Sequence, residues 1–247
     1  MKDAAPQTIY LADYTPPAYL VDSVQLTIQL NPTATRVISR IAFRPNPNAT
    51  STDFFLHGKD LKLINVKIDG NTITPDLTAE GLACTVPNAP FVFEAEVEIS
   101  PSTNTALEGL YMSNGMYCTQ CEAEGFRRIS YYLDRPDVMA VFTTKIIASE
   151  KLYPVLLANG NKIAQGSLPD GRHWVEWHDP FKKPCYLFAM VAGNLQVVED
   201  SFTTMSGRHI DLQIFVEQKD VEKCGHAMLS LQRAMRWDEE VYGREYD

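Results

Sequence analysis

A strict alternation of apolar and polar residues most constrains the fold of this chain. The segment Phe91–Ile99 reads FVFEAEVEI, with an apolar side chain at every second position and glutamates between several of them. A period of two places the apolar side chains on one face of an extended strand and the carboxylates on the other. The same period recurs over residues 24–30 and 37–43. The sequence therefore predicts a β-sheet that is buried on one face.

Turn residues divide the rest of the first two hundred positions into further short strands. Asp69-Gly70 separates two apolar runs and favours a tight hairpin turn, and Asn159-Gly160 marks another turn. The remaining predicted strands cover residues 142–148, 153–158, 171–177 and 184–192. Many short strands without intervening helices favour an antiparallel sheet assembly, a sandwich or a strongly bent sheet.

The pattern changes near Gly193-Asn194. Residues 196–204 and 210–216 predict a hairpin with its turn at Ser206-Gly207 and with inward residues Ile210, Leu212, Ile214 and Val216. A helix follows, because apolar residues then recur at intervals of three and four positions; they are Val221, Cys224, Met228, Leu231 and Met235. Asp220 is the expected N-cap and Gly243 the expected C-terminal stop. We therefore predict a β domain over residues 1–193 and the start of a second domain over 194–247.

Composition excludes several classes of function. Hydrophobic residues make up 45% of the 247 residues, which is sufficient for a core and argues against general disorder. The net charge is −9 and no Lys/Arg cluster is present, so we expect no nucleic-acid partner. No apolar run approaches the roughly 20 residues that cross a bilayer, and residues 1–8 lack the apolar core of a secretory signal. These features predict a cytoplasmic protein with no membrane partner.

The cysteines allow two chemical interpretations besides simple packing. Five widely scattered cysteines, an odd number, argue against a disulfide framework. Cys118-x-x-Cys121 could be half of a zinc site or a redox pair, but no further ligands stand nearby and the surroundings lack a βαβ pattern. Two packed free thiols are therefore the favoured interpretation. A redox protein would require a reversible Cys118–Cys121 disulfide.

No self-sufficient catalytic motif is present in the sequence. His173 and His178 fall on opposite faces of a predicted strand, and the other histidines are isolated. The zinc motif H-E-x-x-H, the nucleophile motif G-x-S-x-G and a Gly-rich phosphate loop do not occur. We therefore assign no catalytic and no metal-binding residue to this chain.

Residues 107–137 form a polar, aromatic-rich run without a helical or strand period, which is typical of a site rather than of a scaffold. Gln120 and Glu122 would share a face if this stretch is extended. A carboxylate beside an amide, in a pocket with little water, suits the three donors of an ammonium group. On spacing alone a solvated surface is favoured over a site. Glu124, Arg127 and Arg128 could equally form surface ion pairs, which contribute little.

Three segments resemble the bacterial aminopeptidase N (alanyl aminopeptidase) family of zinc-dependent gluzincins. They cover residues 107–146, 159–193 and 235–247, and the likeness is thin before residue 100. The most specific motif is Thr-Gln-x-Glu-Ala at 119–123, preceded by Leu-x-Gly-x-Tyr at 107–111. Asp134-Arg135-Pro136 departs from the Asp-Glu-Pro of many members, although the bacterial branch shares the arginine.

The resemblance implies an N-terminal β saddle over residues 1–193, followed by the opening of a thermolysin-like catalytic domain. The family's G-A-M-E-N motif and its zinc-binding H-E-x-x-H helix would then lie beyond Asp247, so zinc would belong to the full-length enzyme and not to this chain. The chain alone is expected to be inactive. Its implied partners are peptides with a free N-terminus and the remaining catalytic and C-terminal domains of the same protein.

The resemblance also implies a role for each candidate residue. Glu122 would bind the substrate α-amino group, together with the glutamate of G-A-M-E-N, and Gln120 would line the pocket for the first side chain. The implied function is the N-terminal part of a metallo-aminopeptidase that releases N-terminal amino acids from peptides. The alternative is a non-catalytic β-sandwich module that binds another protein, which the lack of a complete active site supports. An H-E-x-x-H motif encoded downstream of Asp247 would decide for the enzyme, and a stop codon for the module.

Overall fold

A computed structural model describes Thr8 and residues 10–247, and most of its regular structure is β. The strands are β1 (Tyr19–Gln29), β2 (Thr35–Pro45), β3 (Phe55–His57), β4 (Lys62–Ile68), β5 (Asn71–Thr72), β6 (Asp76–Leu77), β7 (Gly81–Ala83), β8 (Phe91–Ile99), β9 (Gly109–Ser113), β10 (Met116–Gln120), β11 (Met139–Ser149), β12 (Val155–Ala158), β13 (Asn161–Ser167), β14 (Arg172–Pro184), β15 (Met190–Gly193), β16 (Gln196–Thr203) and β17 (His209–Val216). One α-helix, α1, covers Cys224–Tyr242. Short 3-10 helices cover Leu11–Asp13, Pro101–Thr103, Phe126–Arg128, Cys185–Leu187 and Gln218–Lys223. The prediction of a mainly β fold is confirmed.

The largest sheet has eight strands in the order β13-β14-β11-β1-β2-β8-β4-β5. The alternating segment Phe91–Ile99 is β8, and its apolar side chains are buried while the glutamates between them are partly exposed. The predicted hairpin at Asp69-Gly70 is confirmed, because β4 pairs with β5 and both turn residues have positive φ angles, 50° and 79°. This conformation is that of the two-residue turns which match the twist of antiparallel strands.

One pairing in this sheet differs from the antiparallel expectation. β1 lies between β2 and β11, antiparallel to the first and parallel to the second, with Ser23 opposite Val141. Parallel neighbours need a long crossover connection instead of a tight turn. The chain between β1 and β11 provides that connection, and adjacent hydrophobic runs in a sequence do not reveal it.

Aromatic residues fill one part of the core of this sheet. Tyr19, Phe43, Phe54, Phe91 and Phe93 are buried, and their ring centroids lie 5.1–6.3 Å apart. Most of the pairs meet edge to face, which is the arrangement that the charge distribution of aromatic rings favours. These rings join β1, β2 and β8 to the loop that precedes β3.

A second sheet, of four strands in the order β12-β15-β10-β9, carries the candidate site. β9 and β10 form a hairpin through Asn114-Gly115, both with positive φ. Thr119 attaches β10 to β15, since its hydroxyl accepts a hydrogen bond from Met190 N at 2.8 Å and donates one to Met190 O at 3.2 Å. The end of β10 is therefore fixed from both sides.

The predicted strand over residues 184–192 is only partly correct. A 3-10 helix covers Cys185–Leu187, and the strand begins at Met190. Leu187 is half exposed, so the apolar run is not one continuous buried strand. Asn159 stabilises this break, because its amide donates to Leu187 O and accepts from Ala189 N.

The chain divides into two compact units, one ending at Ala192 and one over Gly193–Asp247. In the second unit the predicted hairpin forms as β16 and β17, and Phe202, Leu212 and Met228 make its small core. Glu239 of α1 is buried and accepts hydrogen bonds from Met205 N at 2.9 Å and Arg236 Nη1 at 2.8 Å. What the two units correspond to, a saddle and the start of a catalytic domain, stays a prediction.

Two details of the predicted helix are wrong. Asp220 does not cap α1, because it lies within the preceding 3-10 helix and its carboxylate pairs with Lys223. Leu231 is exposed, whereas Met235 packs on the small core. The stop at Gly243 is correct: this residue has φ 61°, and its N–H bonds to Glu239 O. The helices of the described residues include none with the length and apolar character that crossing a bilayer requires.

The aromatic cluster yields a test of the fold. Phe43 is 1% exposed, whereas Phe181 is 54% exposed. We expect Phe43→Ala to lower the free energy of unfolding by about 3–5 kcal/mol, because it leaves a cavity among the rings. Phe181→Ala, the matched control, should change the same quantity by less than ~0.5 kcal/mol. Urea unfolding curves measure both, and similar losses for the two variants would contradict the described core.

Candidate functional site

The two candidate residues lie at the end of a strand and in the turn that follows it. Gln120 is the last residue of β10, opposite Gly109 of β9, and Glu122 lies in the turn over residues 122–125. Both side chains are exposed. The premise that this stretch stays extended is wrong, because β10 ends at Gln120. The turn nevertheless keeps the two residues close, and the Gln120 amide donates to Glu122 O at 3.2 Å.

Close backbone packing holds this turn against the sheet. Gly125 N donates to Cys121 O at 2.8 Å, and the peptide bond between Glu122 and Ala123 is cis. A side chain on Gly125 would lie 2.3 Å from Gln120 O and 2.9 Å from Gly109 N, so only glycine fits there. Because Gly109 also has φ 72°, the two glycines let the turn approach β9 directly.

Glu122 has an unpaired carboxylate. Across the described part of the chain, no side chain or backbone donor forms a hydrogen bond or an ion pair with its carboxylate oxygens. Such a group keeps its full capacity to accept hydrogen bonds from a cation that arrives from outside. An internal ion pair at this position would have argued against a binding role.

Arg127, five residues later, is held by a buried carboxylate. Asp134, whose side chain is 1% exposed, accepts hydrogen bonds from Arg127 N at 3.1 Å and from Arg127 Nε at 2.9 Å. Arg127 Nη2 also contacts Asp134 O and Glu124 Oε1, each at 3.3 Å. Arg127 thus pairs with the exposed Glu124, as the surface ion-pair alternative allows, but it also pairs with a buried carboxylate, which that alternative does not describe. Burial makes this pair sensitive to the loss of either partner.

Arg128 is held in a different direction. Its Nε lies 3.2 Å from Glu108 Oε2, and its Nη1 contacts the Asp60 carboxylate. The guanidinium is mostly buried, although both carboxylates are substantially exposed. The two arginines that follow the turn are thus committed to carboxylates other than Glu122.

Buried groups around Asp134 stay neutral. Cys185 Sγ donates to Asp134 Oδ1 at 3.1 Å, and Asp134 N donates to His57 Nδ1 at 3.3 Å. Burial, with Asp134 nearby, raises the pKa of the Cys121 thiol to about 12 and raises that of Cys185 further. Burial and the Arg127 charge lower the pKa of His57. This environment favours packing over nucleophilic chemistry.

The other sequence candidates do not form a site. All five cysteines are free thiols. His173 Nε2 bonds to Tyr153 O at 2.8 Å, and His178 Nδ1 bonds to Thr143 Oγ1 at 2.9 Å, so each ring has a structural partner. Among the residues that the structure describes, no three His, Cys, Asp or Glu side chains converge to hold a metal ion. The described residues therefore do not fit a zinc ion.

Comparison with known proteins shows the family to which the chain belongs. Residues 15–187 match the family model described as Peptidase M1 N-terminal domain. The chain belongs to the Peptidase M1 N-terminal domain family. This match covers the large sheet, the four-stranded sheet except β15, and the turn that carries Glu122.

Similar proteins extend the likeness over nearly the whole chain. Aminopeptidase N of Escherichia coli (strain K12) is 50% identical over 98% of this chain, and aminopeptidase N of Caulobacter vibrioides is 47% identical over 100%. The crystal structure of Legionella pneumophila aminopeptidase A in complex with aspartic acid is 38% identical, with a TM-score of 0.90 over 96% of this chain. The chain spans only 28–29% of the length of these proteins.

The buried Asp134–Arg127 pair is what sequence reasoning missed. In the sequence Asp134 stands in the motif Asp-Arg-Pro and Arg127 among possible surface charges, and neither pattern predicts that they pair. Asp134 follows the apolar residues Tyr131, Tyr132 and Leu133, all of which are buried. A lone carboxylate that ends such a run signals a buried acid which needs a cationic partner. Arg135, the residue that departs from the broader family pattern, pairs with Asp137 and donates to Thr15 O.

The raised thiol pKa values predict low reactivity. Because a thiol with a pKa of about 12 stays protonated at mildly alkaline pH, Cys121 should be alkylated far more slowly in the native chain than in concentrated urea. Cys185 should behave in the same way. Mass spectrometry after iodoacetamide treatment measures this at each cysteine, with the urea-unfolded chain as control. Rapid native labelling, or a Cys118–Cys121 disulfide under mild oxidation, would instead support the redox interpretation.

Proposed function

We propose that this chain is the N-terminal part of a zinc-dependent aminopeptidase that releases N-terminal amino acids from peptides. In this proposal Glu122 binds the α-amino group of the substrate and Gln120 lines part of the pocket for the first side chain. The observation that carries it is the unpaired Glu122 carboxylate on a fixed turn, within a chain similar to two aminopeptidases N over nearly its whole length.

The electrostatics of Glu122 support a role that the rest of the protein completes. Two unit charges 4 Å apart in bulk water attract by only about 1 kcal/mol. An exposed carboxylate alone therefore holds an ammonium group weakly, and salt screens the attraction further. Covering the turn with protein would exclude water and strengthen the contact. We propose that the remaining domains of the protein provide this cover and also the zinc ligands.

The proposed anchor explains selectivity for a free N-terminus. An ammonium group offers three donors and a positive charge to Glu122, whereas an N-acylated terminus offers one donor and no charge. Binding the terminus at a fixed distance from the reacting carbonyl places the first peptide bond, and no other, at the position where cleavage occurs. The binding energy of the amine is thereby used to align the peptide. Gln120 is restrained by its bond to Glu122 O, so its position relative to the anchor is also defined.

The same proposal covers location and partners. We place the protein in the cytoplasm, which the free state of all five cysteines supports because that compartment keeps thiols reduced. The proposed partners are peptides with a free N-terminus and the other domains of the same protein. The net charge of −9 argues against nucleic acids and anionic membranes.

Substitution of Glu122 tests the anchor in the full-length enzyme. We expect Glu122→Ala to lower kcat/KM on free-amine substrates by an amount equivalent to ~2–4 kcal/mol, as for other lost charge-assisted contacts. The measurement is steady-state hydrolysis of an aminoacyl chromogenic substrate. Glu80→Ala, at an exposed carboxylate, is the control and should leave kcat/KM unchanged. Kinetics of Glu122→Ala that equal those of the control would sink the proposal.

The chain by itself should show no chelator-sensitive aminopeptidase activity, because its described residues do not fit a zinc ion. Incubating the pure 247-residue chain with the same substrate, with and without a chelator, measures this. Turnover that the chelator abolishes would contradict the assignment of zinc to the rest of the protein. The alternative, a non-catalytic binding module, would be favoured by a stop codon directly after Asp247 in the gene and excluded by a downstream H-E-x-x-H motif.

A further inference from the structure

Arg127 is a cation in the 3-10 helix that directly follows the turn carrying Glu122. It already reaches Glu124, two positions after Glu122, with Nη2 at 3.3 Å from Glu124 Oε1. No ion pair joins Arg127 to Glu122 in the described part of the chain. The other hydrogen bonds of the guanidinium end on Asp134: Nε donates to Oδ2 at 2.9 Å and Nη2 to the backbone O at 3.3 Å.

We propose that Asp134 is a positioning residue that sequesters Arg127 and thereby keeps the Glu122 carboxylate free for the substrate amine. This inference rests on the proposed function of Glu122. It assigns to a buried carboxylate, remote from the substrate, a part in setting the affinity for the peptide N-terminus.

The geometry of the pair supports sequestration. Asp134 Oδ2 accepts from both the backbone N and the side-chain Nε of Arg127, so one oxygen holds both the main chain and the guanidinium of this residue. Asp134 Oδ1 is occupied by Cys185 Sγ, and the Arg127 side chain is only 14% exposed. Asp134 is thus itself locked in place, and water has little access to the pair. Both conditions strengthen a charged hydrogen bond.

A released Arg127 would be an effective competitor. A tethered group reaches a neighbouring site at an effective concentration of the order of millimolar, whereas aminopeptidase substrates act as free solutes. Guanidinium also pairs with a carboxylate through two parallel hydrogen bonds, which an ammonium group cannot do. Loss of Asp134 would therefore weaken substrate binding even where the turn keeps its shape.

A purely structural role for Asp134 makes a different prediction. If Asp134 only supports the turn, removing Arg127 as well leaves the defect unchanged or makes it larger. If Asp134 sequesters Arg127, removing Arg127 relieves the defect, because the competitor is gone. Replacing both members of a buried ion pair with neutral residues of similar volume is also commonly tolerated in folding. The double variant Asp134→Asn/Arg127→Met therefore separates the two roles.

The experiment uses the full-length enzyme and an aminoacyl chromogenic substrate. We expect Asp134→Asn to raise KM by ~10-fold or more with kcat changed by less than ~3-fold, since competition for the amine removes uniform binding. Asp134→Asn/Arg127→Met should return KM to within ~3-fold of the wild-type value. Glu108→Gln, which removes one exposed partner of Arg128, is the matched control and should leave KM unchanged. Thermal unfolding of each variant confirms that it is folded.

Two results would overturn the inference: a wild-type KM for Asp134→Asn, or a double variant whose KM is as high as that of Asp134→Asn. If Asp134→Asn does not fold, the double variant alone decides, because a raised KM there contradicts sequestration and a near wild-type KM supports it. Glu122→Gln in the same assay separates the two proposals. If Glu122→Gln is impaired while the Asp134 variants fail the prediction, only the inference falls. If Glu122→Gln has wild-type kinetics, the proposed function falls as well.

Discussion

The candidate site depends on one buried carboxylate. Asp134 contacts the 3-10 helix at Arg127, the segment that begins at Cys185 and, through its own N–H, His57 at the end of β3. His57 and Tyr132 also exchange two backbone hydrogen bonds, at 2.8 and 3.0 Å. Segments that are distant in sequence are thereby joined at one charged group. A charge that has left water must be surrounded by well-placed donors, so this junction admits little positional freedom.

Short connections link this buried junction to the exposed turn that carries Glu122. β10 is fixed by the Thr119–Met190 bonds on one side and by β9 on the other, and it ends at Gln120. The turn then closes over Gly125, which packs on the Gln120 carbonyl. Glu122 therefore extends an exposed side chain from a turn whose backbone is hydrogen-bonded and closely packed. For the proposed binding role, a backbone already held in place favours selection of a ligand by its position.

Local patterns predicted the strands well and the contacts between distant segments poorly. The alternation in residues 91–99 and the Asp69-Gly70 turn depend on neighbours in sequence, and both are confirmed. The 3-10 helix at Cys185–Leu187 and the exposure of Leu231 depend on packing partners that periodicity does not contain. Likewise, the resemblance pointed to Gln120 and Glu122 as motif residues, but spacing alone could not distinguish a buried Arg127 from an exposed one. The roles of Gln120 and Glu122 in binding stay predictions.

The parallel pairing of β1 with β11 has a consequence for biosynthesis. The strand that lies next to β1 at the middle of the largest sheet is separated from it by more than a hundred residues, with Ser23 opposite Val141. Closing so long a loop lowers the conformational entropy of the chain before the contacts between the two strands can form. Folds rich in such long-range contacts therefore assemble slowly. Since a ribosome synthesises β1 well before β11, one edge of β1 stays unpaired until β11 has emerged. Unpaired strand edges are sites of aggregation, so the nascent chain is exposed to aggregation during this interval.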